Sequence, residues 1–282
     1  MRLANLNGRA QLVAPDGSFI DVESATAGNL SSDPMVVLTR LEELRSLDSV
    51  GEFAEPLNGQ RLEPPVPRPQ KILGAGINYH AHAAEANLPV PAEPAFFAKL
   101  PSALCGPYDD IAIPEGRDSV DWEAELVVVI GRKAKNVSLA DAWDHVAALT
   151  CGQDISDRKE QFRDLRQFTI GKSFDTYAPI GPILVTPDEF EDPDDIPVTC
   201  RLNGEEVQSG STADCIFSVS ELVSWLSRAC TLEVGDLIFT GTPPGVGYIR
   251  KPPQFLKDGD LLETEIGGIG SMRNRCVSVG AA

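Results

Sequence analysis

The stretch SVDWEAELVVVIG, residues 119–131, constrains the fold more than any other part of the chain. Asp121, Glu123 and Glu125 alternate with Val120, Trp122, Ala124 and Leu126, and side chains two apart in a strand share a face. The three carboxylates are therefore expected on one side just as the chain enters Val127 to Ile130, an apolar run that demands burial on both faces. Acids leading into a buried strand are costly unless bases, a solvated edge or a bound cation offset them. Spacing alone leaves two readings open, a solvated strand end and a metal site.

Bulk properties narrow the setting. A chain of 282 residues suits one large domain or a small one joined to a larger one. Its 42 acids against 24 Lys and Arg give a net charge of -18, which disfavours nucleic acid or an anionic membrane as partner. Met1 to Val13 has no apolar segment of the kind a leader carries, and no run approaches the roughly 20 apolar residues of a membrane span, so a cytoplasmic location is expected. The 6 cysteines form no C-x-x-C pair and read as reduced, mostly buried thiols. With only 3 histidines, His80, His82 and His145, a polyhistidine zinc or iron centre is disfavoured. Carboxylate oxygen remains as the ligand type, which suits Mg²⁺, Mn²⁺ or Ca²⁺.

Residues 1 to about 67 carry short strand-like pieces at Ala10–Val13 and Ser18–Val22 and an amphipathic helical stretch over roughly Pro34–Leu47. The segment EPPVPRP, residues 63–69, stiffens the chain and breaks any helix, which places a domain boundary there. Beyond it, KILGAGINY reads as a buried strand and turn, HAHAAEANL as a short helix, 120–131 as a strand, and Leu139–Ala148 as a helix with Ser138 as N-cap. ALTCGQDIS reads as a strand, and others are expected at Ile183–Thr186, Val198–Asn203, Leu237–Thr240 and Leu261–Ile266, with a helix at Val219–Ala229. Asn203-Gly204 is the signature of a tight hairpin. Together these elements predict an α+β, β-rich domain.

Several groups could carry chemistry. Asp154 is the natural third acid beside Glu123 and Glu125, because the chain between the two strands would return it to a neighbouring position. Arg158 and Gln161, three apart, share a helical face and suit a substrate carboxylate, or else a surface salt bridge. Lys172, in GKSFDTYAPIGP, would stabilise an enolate beside a metal, or else is a solvent-exposed lysine. His82 and Glu85 have the spacing of a carboxylate-oriented general base, or of an exposed pair. GAGINY lacks the third glycine of a dinucleotide fingerprint and GTPPGVG lacks the Lys-Ser/Thr of a phosphate loop, so nucleotide binding is rejected. Glycine and proline there still let backbone amides and the Thr242 hydroxyl approach a small anion.

INYHAHAAE, VDWEAELVVVIGRKAKNVS, QDISDRKEQ, GKSFDTYAPIGP, LNGEEVQ and GDLIFTGTPPGVG together resemble the fumarylacetoacetate hydrolase family, in its order and over about residues 70–275. The resemblance implies a mixed β-roll or barrel catalytic domain at 68–282 behind a small N-terminal α+β domain at 1–67, in a homodimer. It implies Mg²⁺ or Mn²⁺ on Glu123, Glu125 and Asp154, with Asp121 as a neighbour. It also implies His82 and Glu85 as a water-activating pair on a mobile lid, and Lys172, Arg158, Gln161 and Thr242 around the substrate. The first expected activity is hydrolysis of a C–C bond in a 2,4-dioxo acid of acylpyruvate, fumarylpyruvate or diketo-sugar-acid type, releasing a pyruvate-type enolate. Isomerisation of a hydroxymuconate-type or 2-hydroxyhepta-2,4-diene-1,7-dioate diacid, or decarboxylation of oxaloacetate, would use the same enolate. A non-catalytic metal-binding scaffold is a third reading, disfavoured because every implied ligand and base is retained. Phe168 and Ile170 stand where the diketo-sugar-acid branch is expected to carry tryptophan and lysine, and Gln153 replaces the commoner asparagine before the metal aspartate.

Overall fold

Two apolar runs decide where the interior lies. Ala124–Ile130 and Val146–Gln153 are buried at every position, as strands covered on both faces must be. In the computed structural model, which describes residues 1–46 and 61–280, they are antiparallel neighbours that pair Ala124 with Gln153 and Glu125 with Gly152. They stand in the middle of a ten-stranded mixed sheet. On one side of them come Ala178–Val185, Arg2–Leu6, Arg9–Val13 and Phe19–Asp21, with Leu104–Cys105 branching off Ala178–Val185; on the other come Leu237–Phe239, Ile72–Gly76 and Ala95–Lys99. The N-terminal residues thus continue this sheet through the pairing of Arg2–Leu6 with Ala178–Val185.

A second sheet, of five strands, runs Glu205–Ser211, Pro197–Leu202, Leu261–Ile266, Gly270–Val279 and Ile111–Pro114. Its first hairpin turns at Asn203 and Gly204, whose φ values of 53° and 84° are the left-handed ones an Asn-Gly turn supplies at low cost. Leu126, Val128 and Leu149 of the first sheet and Cys200, Leu262 and Met272 of the second belong to one buried cluster. The helix Val219–Ala229 forms where expected, opened by a Ser218–Glu221 capping box. This is the α+β, sheet-rich architecture read from the sequence. No helix among the described residues is long and apolar enough to cross a membrane.

Three expectations need correction. The helix at Leu139–Ala148 does not form: Ala142–His145 is a single 3-10 turn and Val146 already begins the strand. The Ser138 hydroxyl does meet the Asp141 N–H, at 3.3 Å, but pairing with Ala124–Ile130 outweighs the local helix signal. The stretch from Pro34 divides into Pro34–Thr39 and Leu41–Arg45, with Arg40 at φ -124° between them; Leu47 lies outside the described residues. The strand over 120–131 is interrupted. Val120–Asp121 pairs with Ser156–Asp157 in a sheet of its own, and the main strand starts at Ala124.

The floor below Asp154 tolerates little. A methyl group on Gly152 would stand 2.4 Å from Val127 Cγ2 and 2.6 Å from Phe239 Cε1. Gly152→Ala is expected to lower the unfolding free energy by about 1–3 kcal/mol, measured by urea denaturation; an unchanged midpoint would show that these side chains yield freely.

Candidate metal and active site

The interruption at Trp122 and Glu123 builds the site. Because Gln153 is the last residue paired with the Ala124 strand, Asp154 falls beside Glu123, and its N–H donates to the Glu123 carbonyl at 2.9 Å. The Gln153 side chain holds the break open: its oxygen accepts from the Glu123 N–H at 2.9 Å while its amide donates to Thr264 on the second sheet. One oxygen each from Glu123, Glu125 and Asp154 then lie within 4.8 Å of one another, all three residues buried. Asp154 reaches this place by antiparallel pairing and not by a helical return.

Cationic side chains surround the acids. Lys172 Nζ donates to Glu123 Oε2 at 2.7 Å, Asp154 Oδ2 at 2.6 Å and Ser156 Oγ at 2.7 Å. Arg158, from the short helix Arg158–Gln161, bridges Glu123 Oε1 at 2.6 Å and Asp121 Oδ2 at 2.7 Å, and its Nη1 donates to Gln161 Oε1 at 2.9 Å. Asp121 is further held by the N–H groups of Gly247 and Tyr248, at 2.7 and 3.0 Å. It anchors Arg158 beside the triad and is not part of it. Sequence reasoning missed Lys99, which closes the strand Ala95–Lys99: its Nζ lies 2.6 Å from Asp154 Oδ1 and 3.3 Å from the Ile155 carbonyl. A lysine ending the apolar run AFFAK was the one available signal.

Charge does not balance in this cluster. Asp121, Glu123, Glu125 and Asp154 are buried together with Lys99, Arg158 and Lys172, so one negative charge is uncompensated. It falls on Glu125, whose Oε2 accepts the Gly241 N–H at 2.7 Å and which meets no cationic side chain among the described residues. Burial, then the charges of Asp154 and Glu123, push its carboxyl well above the usual range. Burial also opposes ionisation of Glu123, but Arg158 and Lys172 overcome it and hold that carboxyl below the usual range. Burial would lower the Lys172 ammonium, yet Asp154 and Glu123 raise it on balance. An all-oxygen set with surplus negative charge fits a hard divalent cation, and Glu123, Glu125 and Asp154 are the residues that would hold it.

The proposed base lies on the helix His80–Glu85. His82 is buried, with Nδ1 3.4 Å from Glu85 Oε2, and Glu85 accepts the Gly245 N–H at 3.0 Å. That contact ties the helix to the GTPPGVG loop. At its other end Ala81 N–H donates to Asp214 at 2.8 Å, and Asn78 is held by Phe217 and Thr240. These contacts hold Ile77 at φ 48°, a strained setting for a β-branched residue. Thr242 sits beneath the triad, its hydroxyl donating to the Ala124 carbonyl at 2.9 Å and accepting from Gln208 at 2.8 Å. The structure therefore gathers Glu123, Glu125, Asp154, Lys172 and Arg158 in one cluster, joins Gln161 to it through Arg158, and commits the Thr242 hydroxyl to the backbone of Ala124.

The model of the fumarylacetoacetate hydrolase C-terminal domain matches residues 71–277. The chain is 48% identical to human mitochondrial oxaloacetate tautomerase FAHD2A over 214 residues, 76% of this chain and 68% of that protein. It is similar to the solved 5-carboxymethyl-2-hydroxymuconate delta-isomerase of Mycobacterium smegmatis, with TM-score 0.79, 30% identity and 100% of both chains covered. It is also similar to the maleylpyruvate hydrolase of Sphingobium sp. SYK-6 solved with manganese(II) and pyruvate, with TM-score 0.81, 29% identity and 99% of each chain covered.

Glu125→Gln removes the uncompensated charge. In metal-free protein at neutral pH it is expected to raise the unfolding free energy by about 1–4 kcal/mol and to abolish stabilisation by added Mn²⁺, both measured by urea denaturation with and without chelator. The Glu125 carboxyl lies above its ordinary value of 4.5, so the folded state keeps a proton that the unfolded chain releases. Wild-type metal-free stability should accordingly fall as pH rises from there through the folded value, a slope the variant lacks. A variant less stable than wild type under chelation would contradict the charge account.

Proposed function

The chain belongs to the fumarylacetoacetate hydrolase family, and we propose that it acts on a short 2-oxo acid through the enolate of that acid, interconverting the keto and enol forms of an oxaloacetate-type substrate. The observation that carries this reading is the placement of Lys172 against two of the three clustered acids, which together with Asp121 outnumber the three cationic side chains buried among them. The likeness to an oxaloacetate tautomerase supports the choice of substrate.

A divalent cation, Mg²⁺ or Mn²⁺, held by Glu123, Glu125 and Asp154 would withdraw electron density from the 2-oxo group and its carboxylate. The protein's own groups do the rest. Arg158 and the amide of Gln161 receive the substrate's carboxylate side. His82 takes the proton from C3, with Glu85 beside Nδ1 favouring the tautomer whose Nε2 is free to accept. Lys172 donates to the oxygen on C2 as charge develops there. Return of the proton to that oxygen completes the isomerisation, with no other reagent consumed.

The His82–Glu85 pair favours a second reading, hydrolysis of an acylpyruvate. There His82 takes a proton from water, the hydroxide adds to the C4 carbonyl, and the C3–C4 bond breaks. Its electron pair goes to the pyruvate enolate, which is then protonated at C3, leaving a carboxylic acid and pyruvate. Both readings use one enolate, and the relatives span both outcomes.

Oxaloacetate tautomerisation, followed by the decay of enol absorbance in the ultraviolet, and acylpyruvate cleavage, followed by pyruvate release, should be compared with Mn²⁺ and with chelator. His82→Ala and Lys172→Met are each expected to lower kcat by about 10²–10⁴-fold. Full activity in chelator would sink both readings; acylpyruvate cleavage without tautomerisation would replace the first by the second.

A further inference from the structure

Lys99 is used by no step above, yet it is among the most completely buried cationic groups in the chain, with its side chain at 0% exposure. It enters from the strand Ala95–Lys99, whereas Arg158 lies on a short helix and Lys172 caps another, and it meets the oxygen of Asp154 that Lys172 does not, together with the Ile155 carbonyl. The two oxygens of Asp154 are thus divided. Oδ1 accepts from Lys99, while Oδ2 accepts from Lys172, which also holds Glu123 Oε2. A cation that took Glu123 Oε2 and Asp154 Oδ2 would compete with Lys172 and not with Lys99.

We propose that Lys99 is a positioning residue that sets both the orientation of Asp154 and the net charge of the site, weakening divalent-cation affinity in order to keep the loaded site attractive to an anion. The charges follow from the groups present. With all four buried carboxylates ionised, the three buried cations leave one negative charge. A divalent cation turns this into one positive charge, which favours an incoming carboxylate such as that of an oxaloacetate-type acid. Without Lys99 the loaded site is neutral, and the incoming anion meets no net attraction. Lys172 carries the same charge but meets two of the triad acids directly and serves the substrate oxygen in the reading above. The inference rests on the reading that the triad holds a cation, and goes beyond it by assigning the level of affinity to a residue that touches neither cation nor substrate.

The test uses the whole chain with Mn²⁺ as the cation and oxalate as the probe anion, each titrated by calorimetry. Lys99→Met is expected to bind Mn²⁺ about tenfold more tightly or better, and the Mn²⁺-loaded variant to bind oxalate about tenfold more weakly. Lys99→Arg keeps the charge and should leave both constants within about threefold of wild type, which a packing role for the side chain would not produce. Should Lys99→Met fold only when Mn²⁺ is present, that dependence is itself the expected gain in linkage, and Lys99→Gln supplies the same comparison with a donor to Asp154 retained. Unchanged or weaker Mn²⁺ binding by the neutral variants, or their failure to fold even in excess Mn²⁺, overturns the inference. Absence of Mn²⁺ binding by wild type overturns instead the reading of the triad on which it stands.

Discussion

One unpaired negative charge inside the protein governs the rest. Asp121, Glu123, Glu125 and Asp154 lie away from water, and Lys99, Arg158 and Lys172 lie with them. Burying an ionised carboxylate without a partner costs several kcal/mol, of the order that a whole domain has to spare. The fold accommodates this by placing Glu125 where, among the described residues, a backbone N–H and no cationic side chain meets it, and by holding its carboxyl above the ordinary range. A proton or a cation relieves the site, and a cation does so while remaining able to draw charge from a substrate. Stability and chemistry therefore share one cause.

The architecture serves that arrangement. Two fully buried strands set the register that brings Asp154 beside Glu123, and the short pairing of Val120–Asp121 with Ser156–Asp157 frees Glu123 from the main ladder. The second sheet reaches in through Gln208 and through the Gln153–Thr264 contact, so both sheets fix the peptide units that carry the acids. Opposite them, the helix bearing His82 is attached at its start by Asn78 and Asp214 and at its end by the Glu85–Gly245 contact. A rigid floor and a helix held at two points are what a site needs to keep bound ligands from water.

Much of this was legible in the residues. The alternation of acids at 121, 123 and 125 marked a buried charge problem, and the i, i+3 spacings placed Arg158 by Gln161 and His82 by Glu85 as the structure has them. The capping box at Ser218 and the Asn203-Gly204 turn gave local elements with a mechanism behind each. What escaped was non-local. The false helix at Leu139–Ala148 followed from a good local cap, whereas strand pairing with residues about twenty positions upstream decided the outcome. Lys99 escaped because nothing near it in sequence shows that Asp154, 55 positions on, needs a partner. The family resemblance already set Asp121 apart from the triad, but the amides of Gly247 and Tyr248 that hold it there are supplied by no spacing rule.

The most direct measurement is an anomalous difference map from a crystal of the whole chain soaked in Mn²⁺. A single strong peak within about 2.5 Å of oxygens from Glu123, Glu125 and Asp154, with Lys172 Nζ drawn off Asp154 Oδ2, is the result expected here. A map with no peak at the triad, while the three carboxylates keep their places against Lys172 and Arg158, would contradict it.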